Sequence, residues 1–166
     1  MMIRSERPGD AAAIEAVTLA AFKDAPHTTH TEQFIVRALR EAGALSVSLV
    51  AEDAGVIVGH VALSPVILSG GEPGWYGLGP ISVAPAVQGR GIGIRLMRAA
   101  LGALRDMGAA GCVVLGDPAY YGRFGFVADP ALVLPEVPPV YFQVLPLNGS
   151  VPVGTVSYHP AFAATA

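Results

Sequence analysis

Apolar positions keep a helical period in the first quarter of the chain and a strand-like one through its middle, and both patterns return further on. "MIRSE" is a short extended segment, broken by Pro8, Gly9 and Asp10. Ile14, Val17, Ala21 and Phe22 then fall on one helical stripe, with Asp10 placed to cap it. Beyond the polar stretch "DAPHTTHT", Phe34, Ile35, Ala38 and Leu39 form a second stripe. Thr29 and Glu32 stand before it at capping-box spacing, and Gly43 closes it. "SVSLVAE" and "VIVGHVALSPVIL" predict strands on either side of a hairpin turn at Asp53-Ala54-Gly55. "GGEPG" predicts another turn and "WYGLGPISV" a third strand.

From about Arg90 to Met107 the helical period returns, closed by Gly108. "GCVVLG" is wholly apolar, as in a strand buried on both faces. "PAYYGRF" predicts a short helix, "LPEVPP" a loop and "VYFQVLPL" a last strand; from Asn148 onward the pattern predicts no element. The early strands pair as antiparallel neighbours. "WYGLGPISV" and "GCVVLG", joined through a crossover helix, are expected to run parallel. The fold class is α/β, with a mixed sheet.

Bulk properties narrow this further. The chain has 166 residues, 52% of them hydrophobic and 14% charged, which fits a single domain over 1–166 with a sizeable core. A formal net charge of -3 argues against nucleic acid as a partner. Cys112 is the only cysteine, so no intramolecular disulfide forms, and it sits in an apolar strand as a structural thiol. The four histidines lack metal-ligand spacing, and no metal is expected. No apolar run approaches the ~18 residues of a membrane helix, and "MMIRSERPGD" lacks the apolar core of a signal peptide. The expectation is a cytoplasmic protein with no membrane partner.

The chemistry concentrates in "VAPAVQGRGIGIRLM", where Gly89, Gly91 and Gly93 stand between a strand and a helix. Glycines let backbone amides converge, and a helix start adds its unpaired N–H groups and dipole. The product is an anion site suited to phosphate or pyrophosphate; the ordinary alternative is tight packing of helix on sheet. A nucleotide-triphosphate loop fails for want of Gly-Lys-Ser/Thr. A dinucleotide G-x-G-x-x-G also fails, because its last position is Ile94 or Leu96, and dinucleotide binding is the weaker reading. Arg90, Arg95 and Arg98 add charge nearby or form a solvated helix face. Pro80, inside an apparent central strand, marks a break or an edge.

Gln88-Gly89-Arg90-Gly91-Ile92-Gly93 resembles the Q/R-x-x-G-x-G/A motif of the GNAT superfamily of acetyl-CoA-dependent N-acetyltransferases, and "AYYGRFGF" resembles its Y-x-x-x-G-F pattern, with Tyr121, Gly125 and Phe126 on the matching positions. The likeness runs from Met2 to about Leu147, and "VLGDPAYYGRFGF" is most similar to the bacterial YhbS-like branch. It implies a mostly antiparallel sheet with a splayed central parallel pair and helices on both faces. It also implies acetyl-CoA as co-substrate, with Gln88, Gly89, Arg90, Gly91, Ile92, Gly93 and Ile94 around the pyrophosphate. Ile81, Ser82 and Val83 would pair through their backbone with the pantetheine arm. Tyr121 matches the family's general acid, which protonates the departing thiolate; Tyr120 beside it reads as packing.

No carboxylate in "WYGLGPISV" offers a general base. Asp117 reads as a helix cap, Glu72 lies in a turn, and His60 is mid-strand, so water activation is the default. The expected activity is direct acetyl transfer to a primary amine in a ternary complex, the amine belonging to a small molecule or a peptide. The alternative is an acyl-CoA-binding module without turnover. In the family the acceptor is shaped by the first helices and last strands, which here carry Phe22, His27, His30, Tyr141 and Tyr158. Members of the family often form homodimers, an arrangement this chain leaves open.

Overall fold

The computed structural model describes residues 1–26 and 28–166; His27 lies outside the described residues. In chain order the elements are β1 (Met2–Ser5), α1 (Ala11–Phe22), α2 (Glu32–Glu41), β2 (Val47–Asp53), β3 (Val56–Pro65), β4 (Ile67–Leu68), β5 (Trp75–Val83), α3 (Ile92–Asp106), β6 (Gly111–Leu115), α4 (Pro118–Tyr121), β7 (Leu132–Val133), β8 (Phe142–Pro146) and β9 (Gly154–Ser157). Six strands form one sheet in the order β1-β2-β3-β5-β6-β8, and β4-β9-β7 form a small second one. The pairs β1–β2, β2–β3 and β6–β8 are antiparallel, while β5–β6, joined through α3, is parallel as expected.

Contacts group the chain into two compact units. One comprises Met1–Leu63, Gly79–Gly102 and Pro160–Ala166, and the other Ser64–Leu78 and Ala103–His159. In the first, Ile14 of α1 and Val36 of α2 bury against Val50 of β2. The opposite face takes α3. A Cβ on Gly59 would stand 3.0 Å from Leu96 and 3.1 Å from the Ser82 carbonyl, so the bare glycine lets the helix lie close.

A polar chain runs through this unit. Arg40 donates to both carboxylate oxygens of Glu6 at 2.7 and 2.9 Å, and the Ser48 hydroxyl donates to Glu6 at 2.6 Å. Ser48 Oγ also lies 2.8 Å from His60 Nε2. With the serine proton committed to Glu6, His60 must donate from Nε2, which fixes its neutral tautomer. Burial lowers the His60 pKa to about 4, against a smaller opposing pull from Glu6.

The unfolded imidazole titrates near 6.5, so the unfolded chain binds the extra proton first. Stability is therefore expected to fall as pH drops from about 6.5 towards 4. Melting temperatures across that range should show the decline, and His60→Gln should flatten it. At lower pH Asp10 continues the trend, since Arg4, with help from the Arg7 amide, holds its carboxyl down to about 2.

The second unit is built around Trp75, Val113, Leu132, Phe142, Val144 and Val156. Gly111 is obligatory there because its Cβ would overlap the Trp75 ring, which is 3% exposed. Gly111→Ala should destabilise the protein by about 2–3 kcal/mol through overpacking, read as a lowered midpoint in urea.

Some boundaries differ from expectation for local reasons. Asp10 precedes α1 but makes no side-chain cap bond; its carboxylate instead takes Arg4 at 2.7 Å and the Arg7 amide at 2.7 Å. α2 starts after Thr31, so Thr29 is not its N-cap, but Glu32 accepts from the Thr29 amide at 3.4 Å, half of the expected box, and from the Thr28 hydroxyl at 2.8 Å. α3 begins at Ile92 rather than Arg90, because Gly91 has φ +80 and cannot join a right-handed helix. The segment after Asn148, for which the pattern predicts nothing, supplies β9 between β4 and β7.

Candidate active site

The glycine corner lies wholly in the first unit. After a 3-10 turn at Pro85–Val87, Gln88 is extended, and Gly89 and Gly91 take φ +79 and +80. These left-handed positions are open to glycine at little cost and swing the chain into α3. The Arg95 amide donates to the Gly91 carbonyl at 3.1 Å, the first bond of the helix. The amides of Ile92, Gly93 and Ile94 are thus first-turn donors without an intrahelical acceptor, at the positive end of the dipole. Two glycines, not three, form the bend, and Gly93 already belongs to the helix. Gln88 Nε2 donates to the Val83 carbonyl at 3.0 Å and ties the loop to the end of β5. Ile92 is 7% exposed and anchors the helix start in the core. Arg90, Arg95 and Arg98 are exposed and form no ion pair among the described residues.

The β5–β6 ladder covers Trp75↔Gly111, Tyr76↔Cys112 and Gly77↔Val113, while β5 runs on to Val83. Within that extension Ser82 is 3% exposed, its hydroxyl 3.5 Å from that of Thr18 on α1. Its side chain is therefore committed to the core. Ile81 and Val83 are half-buried.

Tyr121 lies in the second unit. Tyr121 is the last residue of the four-residue α4, so its phenol does not stand at that helix's N-terminus. Asp117 caps that helix through a 2.9 Å bond from the Ala119 amide, the role expected of it. The Tyr121 ring is seated instead by Gly116, whose Cβ would stand 2.5 Å from it, and by edge-on contacts with Tyr120 at 5.0 Å and Phe126 at 6.1 Å. Gly125, at φ +97, turns the chain so that buried Phe126 packs behind the tyrosine, a physical reason for the Y-x-x-x-G-F spacing. Burial, then Tyr120 and Asp117, push the Tyr121 phenol up to about 12. Tyr120 stacks against Arg123, 4.8 Å from its ring, and serves packing.

The remaining candidates fall outside any such constellation. Cys112 is fully buried and its thiol is pushed well up by burial. Glu72 is exposed in the turn before β5, and His60 is spent on Ser48. Among the described residues no group of three His, Cys, Asp or Glu side chains could hold a metal ion, and no helix is long and apolar enough to cross a membrane. Of the residues expected around an acceptor, His30 and Tyr141 are exposed and Phe22 is half-buried. Tyr158 packs against Gly77, a seat that no local pattern in "GLGP" announces.

Residues 12–126 match the Acetyltransferase (GNAT) family, and the chain belongs to that family. It is 40% identical over 127 residues to the uncharacterised N-acetyltransferase YhbS of Escherichia coli, an alignment covering 76% of this chain and 73% of that protein. The fold agrees: a GNAT family acetyltransferase from Brucella melitensis, crystallised with acetyl-CoA, superposes with a TM-score of 0.87 at 52% identity over 97% of both chains. E. coli YhbS in complex with CoA also gives 0.87, at 37% identity, covering 97% of this chain and 91% of that one. The likeness drawn from "QGRGIG" and "AYYGRFGF" is therefore correct in both family and branch.

Proposed function

We propose that this protein transfers the acetyl group of acetyl-CoA directly to a primary amine, both substrates being held together. The observation that carries the reading is the corner at Gly89 and Gly91, which delivers first-turn amides of α3 to one anion. That donor set fits a pyrophosphate, and acetyl-CoA is the ligand of the Brucella relative. The exposed Arg90, Arg95 and Arg98 supply further positive charge, and the backbone of Ile81, Ser82 and Val83 is assigned to the pantetheine amides. In the reaction the amine nitrogen attacks the thioester carbonyl, the C–S bond breaks, and Tyr121 gives its proton to the sulfur. The proton shed by the nitrogen leaves through water, because β5 carries no carboxylate.

That missing carboxylate also favours a second reading, an acyl-CoA-binding module without turnover. Thermal melting with acetyl-CoA, CoA and NAD in parallel separates the possibilities, since a ligand of the folded state raises the midpoint by mass action. Acetyl-CoA and CoA should stabilise the protein and NAD should not; a shift with NAD alone would overturn the acyltransferase reading. CoA release with a panel of polyamines, amino acids and short peptides then decides between enzyme and binding module.

A further inference from the structure

The β6–β8 register ends at Leu115 opposite Phe142, and there the chain leaves the sheet for α4. Gly116, the next residue, is nonetheless held on both sides of its Cα. Its amide donates to the Tyr141 carbonyl at 2.9 Å, and its carbonyl accepts from the Gln143 side chain, Nε2 at 3.1 Å. A side chain of β8 thus takes over where the ladder stops. The bare Cα between those two bonds is the seat of Tyr121, since a Cβ there would stand 2.5 Å from Cε2 of the ring. Gln143 is 1% exposed and lies in sequence between Phe142 and Val144, both buried. Its nitrogen must face the Gly116 carbonyl, because an amide oxygen would find no donor there. Its Oε1 is buried with no hydrogen-bond partner among the described residues.

A buried acceptor left unpaired costs stability, and a methionine or leucine would fill the position without it. Packing therefore does not explain the amide; its bond to Gly116 does. Among the described residues the Tyr121 hydroxyl has no hydrogen bond of its own, so the seat of the ring sets where it points. Placement matters here, since a shift of about 1 Å in a reacting group can cost about 100-fold in rate. We infer that Gln143 is a positioning residue for Tyr121, fixing the Gly116 peptide so that the phenol is held in one place relative to the departing sulfur. Gln143 acts only through Gly116 and the ring seated on it, and gives no proton itself. The inference rests on the reading of Tyr121 as the acid.

Its test needs only CoA. The thiol of bound CoA is titrated by the ultraviolet absorbance of its thiolate, with the desulfo-CoA complex subtracted to cancel the tyrosines. Tyr121→Phe should raise the pKa of that thiol by about one pH unit, because a donor to the thiolate holds it down. Gln143→Met keeps the bulk of the side chain and removes the donor. It should raise the thiol by about half a unit, with CoA affinity and melting temperature unchanged. Gln143→Leu should repeat that rise. Combined with Tyr121→Phe, neither should add to it, the non-additivity expected when one residue acts through another. If the Gln143 variants leave the thiol in place, add their full shift to Tyr121→Phe, or act only by lowering the melting temperature, the inference is overturned and the proposed acid stands. If Tyr121→Phe itself moves nothing, the acid reading fails and the inference with it.

Discussion

Tyr121→Phe is expected to lower turnover by about 100-fold or more while leaving acetyl-CoA affinity nearly unchanged. Phenylalanine keeps the ring on Gly116 and its edge contacts with Tyr120 and Phe126, so only the hydroxyl is lost. A group needed only as the sulfur departs acts in the transition state, and its removal falls on kcat. Steady-state rates with an amine from the panel, set beside acetyl-CoA affinity from melting shifts, make the comparison. Equal losses in both would mean that the ring is a packing element; no loss would remove Tyr121 from the chemistry. Because burial holds the phenol up to about 12, it stays protonated through neutral pH, and its own ionisation should not limit the rate there.

Gly91→Val should have the largest effect on binding, weakening acetyl-CoA by about 100-fold. No atom crowds the site of a Cβ at Gly91, so the difficulty is not space. The obstacle is φ +80, where a β-branched residue is strained by about 1–2 kcal/mol or more. The chain would relax by re-aiming the amides of Ile92 and Gly93, and each hydrogen bond to a charged group is worth about 1.5–3 kcal/mol. Gly93→Ala provides the contrast. Gly93 lies inside α3, the family motif admits alanine there, and affinity should stay within a few-fold of the original. Isothermal titration with acetyl-CoA would resolve the two variants, and equal losses would refute the conformational argument.

What could be read from the sequence had a local cause. Helical stripes such as Ile14–Val17 and Ile35–Leu39, the turn at Ala54-Gly55 and the glycine corner each follow from neighbours along the chain, and each is present. The corner shows the limit of that reading, since spacing presented three equivalent glycines and only backbone angles separate Gly89 and Gly91 from Gly93. The seat of Tyr158 escaped because it joins residues far apart: Tyr158 lies 81 positions beyond Gly77. β4 was contained in the strand expected over 56–68 as its last two residues, whereas β7 and β9 escaped because strands of two and four residues carry too little period to detect. His60 looked like an isolated mid-strand histidine, and nothing local linked it to Ser48, Glu6 and Arg40.

The burial of Cys112 makes the protein its own gauge of opening. It is the only thiol in the chain and has no exposed surface, so a thiol-directed dye meets it only when β6 comes away from its neighbours. In an assay that counts liberated CoA with such a dye, the folded protein stays dark and contributes no background. Without CoA, the labelling rate of this one site reports how often the central strand is exposed, and slower labelling on adding acetyl-CoA would measure how far the ligand quiets the fold.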